Sequence, residues 1–189
     1  MSERIRSFLA FDIDVEEVTR RLAAVQKLLV QTGADLKLVE PQNIHMTIRF
    51  LGDIGPVMVE KVFEEMKKVK FTPFTVILKG LGAFPDLRYP RVLWVGITQG
   101  AEQLKSVFSQ VEPGLQKLGF APDSKGFNPH LTVARVRSGA NKVALADFMT
   151  KNANYEFGSV QASCFRLKKS DLTPKGPIYA TVREFCPQP

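Results

Sequence analysis

Amphipathic helical segments alternate with pairs of apolar strands along this chain of 189 residues, and this order limits the folds open to it. Strands are predicted at residues 6–13, 36–39, 44–51, 74–81, 91–98, 130–136, 157–167 and 178–185, and helices at 15–31, 56–69, 101–118 and 142–150. Successive strands joined by short turns pair antiparallel. The pattern therefore predicts an α+β fold and argues against a doubly wound parallel sheet.

A few residues suggest where the helices begin, end and bury their side chains. Asp14 is predicted to cap the first helix, and Gly33 is predicted to end it. Pro113 lies inside the third helical segment and, lacking a backbone N–H, is predicted to kink or break it. The apolar face of the first helix is predicted to consist of Val18, Leu22, Val25, Leu28 and Leu29.

Composition adds weaker limits on partners and location. Lysine and arginine (26) outnumber aspartate and glutamate (19), which favours polyanionic partners, although a solvated lysine-rich surface accounts for this charge equally well. No apolar run approaches the length of a membrane span, and residues 1–6 lead into a strand without a signal peptide's apolar region. Cys164 and Cys186 match no metal spacing or disulfide framework, so both are predicted to be buried free thiols in late strands. These features predict a cytoplasmic protein without a membrane partner.

The chain contains two histidines, and the residues that follow them have the same pattern of apolar, threonine, apolar. His45 begins the segment His-Met-Thr-Ile, and His130 begins the segment His-Leu-Thr-Val. Because side chains alternate between the faces of a strand, each histidine shares a face with the threonine two residues later, while the apolar neighbours face the core. Arg49 shares the face of His45 provided that the strand stays regular to that point. The repeat therefore predicts two polar His-Thr pairs facing a cleft.

Two imidazoles around one centre suit acid–base chemistry on a phosphodiester. One imidazole activates water, the other protonates the leaving oxygen, and threonine hydroxyls bind the phosphate oxygens. This chemistry needs no metal or cofactor, and none is predicted. A zinc site is the weaker interpretation because neither motif has a nearby carboxylate or cysteine. No serine lies on a nucleophile elbow, and Gly80-Leu81-Gly82 lacks the rest of a dinucleotide fingerprint.

The two motifs, about 85 residues apart, resemble those of the two-histidine phosphoesterase superfamily. Within it the chain resembles the RNA 2′,3′-cyclic phosphodiesterases, also called 2′-5′ RNA ligases. The segments R-S-F-L-A-F-D-I, H-M-T-I-R-F-L-G, H-L-T-V-A-R and L-K-K-S-D-L-T-P-K-G-P-I-Y all fit, so the resemblance covers nearly the whole chain. It implies a LigT-like fold over residues 1–189, a single bilobal domain with two pseudo-symmetric lobes of antiparallel sheet, outer helices and a central groove.

The resemblance also implies a reaction and a role for each residue. The reaction is hydrolysis of a terminal 2′,3′-cyclic phosphate of RNA to a 2′-phosphomonoester, with reversible joining of tRNA halves by a 2′-5′ bond also assigned to the family. His45 would donate the proton to the leaving oxygen, and His130 would accept a proton from water. The residues that would bind the phosphate are Thr47, Thr132, Arg135 and, from its position on the strand, Arg49.

Some points stay open at this level. Strict alternation places Arg135 opposite His130, so Arg135 joins the site only if the strand bulges near Ala134. Tyr179 is the favoured candidate to stack a nucleobase, ahead of Phe8, Phe11 and Phe127. The alternatives are an RNA-end-binding protein with little turnover, or a phosphodiesterase acting on small cyclic nucleotides or 2′-5′ oligoadenylates. The protein is expected to be a monomer.

Overall fold

The computed structural model of the protein describes residues 4–124, 126–174 and 176–187. Residues 1–3 and Lys175, used in the sequence argument above, lie outside the described residues. The strands are β1 (Ile5–Asp12), β2 (Leu36–Leu38), β3 (His45–Ile54), β4 (Phe74–Phe84), β5 (Val92–Ile97), β6 (His130–Val136), β7 (Glu156–Ala162), β8 (Phe165–Thr173) and β9 (Gly176–Phe185). The helices are α1 (Glu16–Gln31), α2 (Pro56–Met66), α3 (Ala101–Lys117) and α4 (Lys142–Lys151), with a short 3-10 turn at Pro41–Asn43.

The strands form an antiparallel sheet with the order β7-β4-β5-β6-β3-β1-β8-β9, and β2 pairs with β6. The order divides into two sets of four strands that meet where β6 pairs with β3 through Met46 and Leu131. Helices α1 and α4 pack on the set that contains β7, and α2 and α3 pack on the set that contains β9. The α+β class and the two-lobed arrangement are therefore confirmed.

The first helix differs from its prediction at its start and on its buried face. Val15 occupies the N-cap without a side-chain hydrogen bond, and Asp14 instead lies 3.6 Å from Arg166. Leu28 is 44% exposed, and the buried face includes the polar side chain of Gln26 in its place. Gly33 follows the helix with a positive φ of 74°, the conformation expected for glycine after a helix end.

The third helix runs without a break from Ala101 to Lys117, so the prediction that Pro113 would break it is wrong. Pro113 lies on the exposed side, while its neighbours Val111, Gly114 and Leu115 are buried. Packing of this buried face holds the helix together despite the missing hydrogen bond. The predicted strand at 157–167 is also two strands, β7 and β8, separated at residues 163–164.

The prediction of two free buried thiols is wrong, because Cys164 and Cys186 form a disulfide with their Cα atoms 4.3 Å apart. Phe165 pairs with Phe185 in the β8–β9 ladder, so the residues flanking this pair face each other. The two cysteines also lie with Glu184 in a group close enough to hold a metal ion, but the disulfide removes both thiolates. The cytoplasmic prediction thereby loses the support that it drew from free thiols.

Within the described residues, no helix has both the length and the apolarity required to cross a membrane.

Candidate active site

The two histidine motifs meet where the two lobes join. Met46 of β3 pairs with Leu131 of β6, and the two strands are antiparallel. If this register is continued by one residue in each direction, His45 lies opposite Thr132 and Thr47 lies opposite His130. All four of these side chains line one cavity of about 660 Å³. That volume lies in the range of pockets for small ligands. The structure therefore brings together the four residues on which the sequence argument depended.

The same hydrogen bond orients each imidazole. Nδ1 of His45 lies 2.7 Å from the carbonyl oxygen of Asn43, and Nδ1 of His130 lies 2.7 Å from that of Asn128. A carbonyl only accepts, so Nδ1–H donates in both cases and Nε2 is left to exchange protons. The sequence reasoning missed these positioning residues. The signal was an asparagine two residues before each histidine.

A β-bulge follows each threonine and decides which later side chains reach the cavity. In β3 the pairing with β1 shifts at Ile48, and in β6 the pairing with β5 shifts at Val133. Each bulge adds one residue and reverses the alternation that follows it. As a result, Phe50 and Arg135, each five residues after its histidine, line the cavity. The bulge that Arg135 requires is present.

Arg49 lies outside the cavity, so its predicted face is wrong. Its Nε donates to Oε2 of Glu112 at 2.9 Å, and its other nitrogens donate to the carbonyls of Phe50 and Ala121. Both charged side chains are largely buried. The bulge at Ile48, which the sequence did not indicate, turns Arg49 toward α3. There it connects β3 to the helix and the loop that follows it.

The bulge in β6 is fixed by the buried side chain of Gln26 on α1. Its Nε2 donates to the carbonyl oxygen of Val133 at 2.9 Å and to that of Val39 at 2.6 Å. The backbone N–H of Val39 also donates to the Val133 carbonyl at 3.0 Å. These bonds connect the bulge to the segment after β2. They hold Val133 in place, the residue at which the strand changes the face of the side chains that follow, including Arg135.

Different aromatic residues surround the two imidazoles. The ring of Phe8 stacks on His45 at 4.6 Å between centroids, and Tyr179 meets His45 edge-on at 5.3 Å. On the other side, Phe84 meets His130 edge-on at 5.0 Å and Trp94 lies 6.4 Å away. Of the predicted stacking residues, Phe8 and Tyr179 line the cavity, whereas Phe11 packs in the core and Phe127 stacks on Phe108.

Burial is the main influence on both imidazoles. It lowers the pKa of His45 to about 4 and also lowers the pKa of His130, because an imidazolium loses hydration in the cavity. Near His45 the Lys168 ammonium opposes protonation and the Asp12 carboxylate favours it, and these two form an ion pair at 2.6 Å. Near His130 the Arg135 guanidinium opposes protonation. Both imidazoles are therefore neutral at pH 7 in the free pocket.

Comparison with known proteins places the chain in a family. The family model described as LigT like Phosphoesterase matches twice, over residues 13–94 and 95–179, so one match contains His45 and the other His130. A protein of Aeropyrum pernix named RNA 2′,3′-cyclic phosphodiesterase is 40% identical over 164 residues, which cover 87% of this chain and 93% of that protein. Its namesake in Archaeoglobus fulgidus is 39% identical, with 96% and 99% covered.

Solved structures agree with the fold. The crystal structure of TT0787 of Thermus thermophilus superposes with a TM-score of 0.79 at 27% identity, over 96% of this chain and 97% of the other. Escherichia coli LigT complexed with 3′-AMP has a TM-score of 0.80 at 20% identity, over 97% and 98% of the two chains, which supports the fold alone. The resemblance drawn from the two motifs is confirmed. The chain belongs to the LigT-like phosphoesterase family.

Proposed function

We propose that the protein hydrolyses the terminal 2′,3′-cyclic phosphate of RNA to a 2′-phosphomonoester by acid–base catalysis that needs no metal. The observation that carries the proposal is the duplicated geometry of His45 and His130. Each imidazole has its Nδ1 held by a backbone carbonyl and lines the same cavity as both threonines. The names of the two archaeal relatives support the choice of substrate.

The reaction balances with the groups in the pocket. Nε2 of His130 takes a proton from water, and the water oxygen forms a bond to phosphorus. The bond from phosphorus to the 3′ oxygen breaks, and Nε2 of His45 gives its proton to that oxygen. Thr47, Thr132 and Arg135 stabilise the negative charge that grows on the other phosphate oxygens. Proton exchange with solvent then restores both imidazoles.

A 5′-hydroxyl in place of water makes the same sequence of steps a ligation. The hydroxyl oxygen attacks phosphorus, His130 accepts its proton, and the product is a 2′-5′ phosphodiester. Joining of tRNA halves is therefore proposed as a second outcome of the same pocket. We also propose that the chain acts as a single bilobal unit and a monomer, since one chain supplies both histidines.

The assignment of His45 as the acid requires that it bind a proton when the substrate arrives. Burial opposes this in the free pocket, where the pKa of His45 lies near 4. The cyclic phosphate brings a negative charge close to both imidazoles, and an opposite charge raises the pKa of a histidine. Protonation of His45 is thus coupled to substrate binding.

The proposal is tested with a synthetic oligoribonucleotide that ends in a 2′,3′-cyclic phosphate, in buffer containing chelator. The expected product is the 2′-phosphate, resolved from the 3′-phosphate by chromatography and ³¹P NMR. A second reaction includes a strand with a 5′-hydroxyl and measures 2′-5′ joining. Binding without turnover would instead support an RNA-end-binding protein. Preferential cleavage of small cyclic nucleotides or 2′-5′ oligoadenylates would change the substrate class.

A further inference from the structure

An ion pair with little contact with water lies beside His45. Nζ of Lys168 donates to both carboxylate oxygens of Asp12, at 2.6 and 2.7 Å. The side chains of Lys168 and Asp12 are only 12% and 20% exposed, and neither residue is among the described residues that line the cavity. Because removing two charges from water costs free energy, such a pair is weak evidence for stability and suggests a role in function.

The strand register sets this pair next to His45. Asp12 is the direct partner of His45 in the β1–β3 ladder, and direct partners on antiparallel strands have their side chains on the same face. On the other side of β1, Lys168 pairs with Phe8, whose ring stacks on His45 at 4.6 Å between centroids. The ion pair and the imidazole therefore share one face of one lobe.

A neighbouring arginine leaves Lys168 as the main partner of Asp12. Arg166 lies 3.5 Å from Asp12, whereas its Nε donates to Glu184 on β9 at 2.5 Å. Replacing Asp12 or Lys168 with a neutral residue therefore changes the net charge near the imidazole by one, in opposite directions for the two residues.

His130 has a different neighbour at the equivalent position. Its direct partner in the β5–β6 ladder is Gly96, which has no side chain, whereas His45 has Asp12. Both imidazoles have Nδ1 held by a backbone carbonyl. The Asp12–Lys168 pair is therefore a difference between the two imidazoles that the repeated motif does not determine.

We propose that Asp12 and Lys168 are positioning residues for the reaction, because their ion pair sets the charge that the ring of His45 meets and so distinguishes it from His130. This inference rests on the proposed function and adds the residues that separate the acid from the base. Burial is the main influence on His45 and lowers its pKa to about 4. Of the two charges, the Lys168 ammonium lowers this pKa and the Asp12 carboxylate raises it, so the two residues act in opposite directions.

Other groups also face the ring of His45. Tyr179 meets it edge-on at 5.3 Å, and His130 opposes its protonation from across the cavity. The described residues of the cavity wall include the charged side chains of Arg6, Lys37, Glu40, Asp53 and Arg135. These groups are unchanged when Asp12 or Lys168 is replaced, so a change in the pKa of His45 reports the ion pair.

The test follows both imidazoles by NMR in protein with ¹⁵N-labelled histidine, which is selective because the chain contains two histidines. His45→Gln and His130→Gln assign the two signals. Lys168→Met keeps the length of the side chain and is expected to raise the pKa of His45 by roughly 1 unit, whereas Asp12→Asn is expected to lower it. The double variant is expected to return this pKa to near its wild-type value. The pKa of His130 is expected to stay unchanged in all three.

Steady-state kinetics give a second readout, since a merely structural role would not move a pH profile in opposite directions. Replacement of Lys168 is expected to shift the high-pH limb of kcat/KM to higher pH, and replacement of Asp12 is expected to shift it to lower pH. Lys79→Met is the matched control, because Lys79 pairs with Glu156 at 3.0 Å in the other lobe. This variant is expected to shift neither imidazole.

Shifts in the same direction for the two single variants, an equal shift at His130, or no shift at His45 would overturn the inference. The titration needs no substrate, so its result is separate from the proposed function. If wild type hydrolysed no cyclic phosphate, the proposed function would fail, while opposite shifts would still support the role of the ion pair and absent shifts would contradict it.

Discussion

The ring of His45 contacts Phe8 and Tyr179, with the Asp12–Lys168 ion pair close by, whereas the ring of His130 contacts Phe84 and lies 6.4 Å from Trp94. The parts that hold the histidines are the same in both halves. Each has an asparagine carbonyl two residues before the histidine, a threonine two residues after it, and a bulge at the next position. The parts that differ come from the rest of each lobe.

The repeated residues supply the acid–base chemistry, whereas the residues that differ between the lobes distinguish the two histidines from each other. The repeated elements place two proton-exchanging nitrogens and two hydroxyls around one centre, which is enough for acid–base chemistry. Phe50 at one end and Arg135 at the other are not repeated, and neither is the charge beside His45. Removal of either copy of a repeated element is therefore expected to cause a similar loss of activity, whereas removal of the unrepeated residues is expected to cause unlike losses.

The largest effect is expected from removing either imidazole. His45→Ala and His130→Ala are each expected to lower kcat by at least about 100-fold, the lower end for loss of a general acid or base. Turnover of a defined cyclic-phosphate oligonucleotide measures the change. Circular dichroism and thermal melting serve as controls for folding. Wild-type activity in either variant would remove that histidine from the mechanism.

The threonines are expected to have smaller and matched effects. Thr47→Val and Thr132→Val each remove a hydroxyl that is proposed to donate to a phosphate oxygen, while keeping a similar shape. Loss of a hydrogen bond to a charged group corresponds to roughly 10- to 100-fold in kcat/KM. Thr98→Val, at the exposed position directly after β5, is the control. A large loss in one threonine variant alone would show that the two halves do not share the phosphate.

Replacement of Arg135 tests the cationic side chain that only the lobe of His130 contributes through its motif. Arg135→Met is expected to raise KM for a cyclic-phosphate substrate by about 10-fold, since one charge-assisted contact to the phosphate is lost. Steady-state kinetics at low and high salt measure this, and the effect should shrink as salt screens the contact. Arg137→Met is the control, because Arg137 is exposed and is not among the described residues that line the cavity. Equal effects of the two variants would argue for general surface charge instead.

Gln26 supports only one of the two bulges, so its replacement is expected to have the smallest effect on activity. The expected effect is on stability. Gln26→Met keeps the length of the side chain but leaves the Val39 carbonyl without its donor. The free energy of unfolding should fall by about 1–3 kcal/mol. Tm should drop by roughly 3–10 °C in a chain of this size. Gln103→Met, on the exposed surface of α3, is the control. An unchanged Tm would show that the bulge holds without this side chain.

The sequence predicted the centre of the pocket because strand alternation is a local property. His45 and Thr47 share a face whatever surrounds them, and the same holds for His130 and Thr132, so the repeated motif was sufficient. The bounds of β6 were also predicted as observed. The α+β class followed from short connections between successive strands.

Features that depend on distant partners could not be predicted in this way. The bulge that turns Arg49 away arises from pairing of β3 with β1, and nothing in H-M-T-I-R-F indicates it. The disulfide depends on the β8–β9 register, since a separation of 22 residues carries no sign of contact. Burial of Gln26 is explained only by two carbonyls that come from other elements.

The proton roles of the two histidines are the central claim, and pH–rate profiles of the two alanine variants test them most directly. An acid works while protonated, so if His45 is the acid, activity should fall as pH rises through its pKa in the complex. A base works while neutral, so if His130 is the base, activity should fall as pH decreases through its own pKa. Wild type should show both limbs in kcat.

Burial lowers both pKa values in the free pocket, so the optimum of kcat/KM should lie below pH 7, and the kcat optimum should lie at higher pH once the anionic substrate is bound. His45→Ala is expected to lose the high-pH limb and keep the low-pH limb. His130→Ala is expected to do the reverse. The opposite pattern would exchange the two roles, and a full bell in either variant would contradict the paired mechanism.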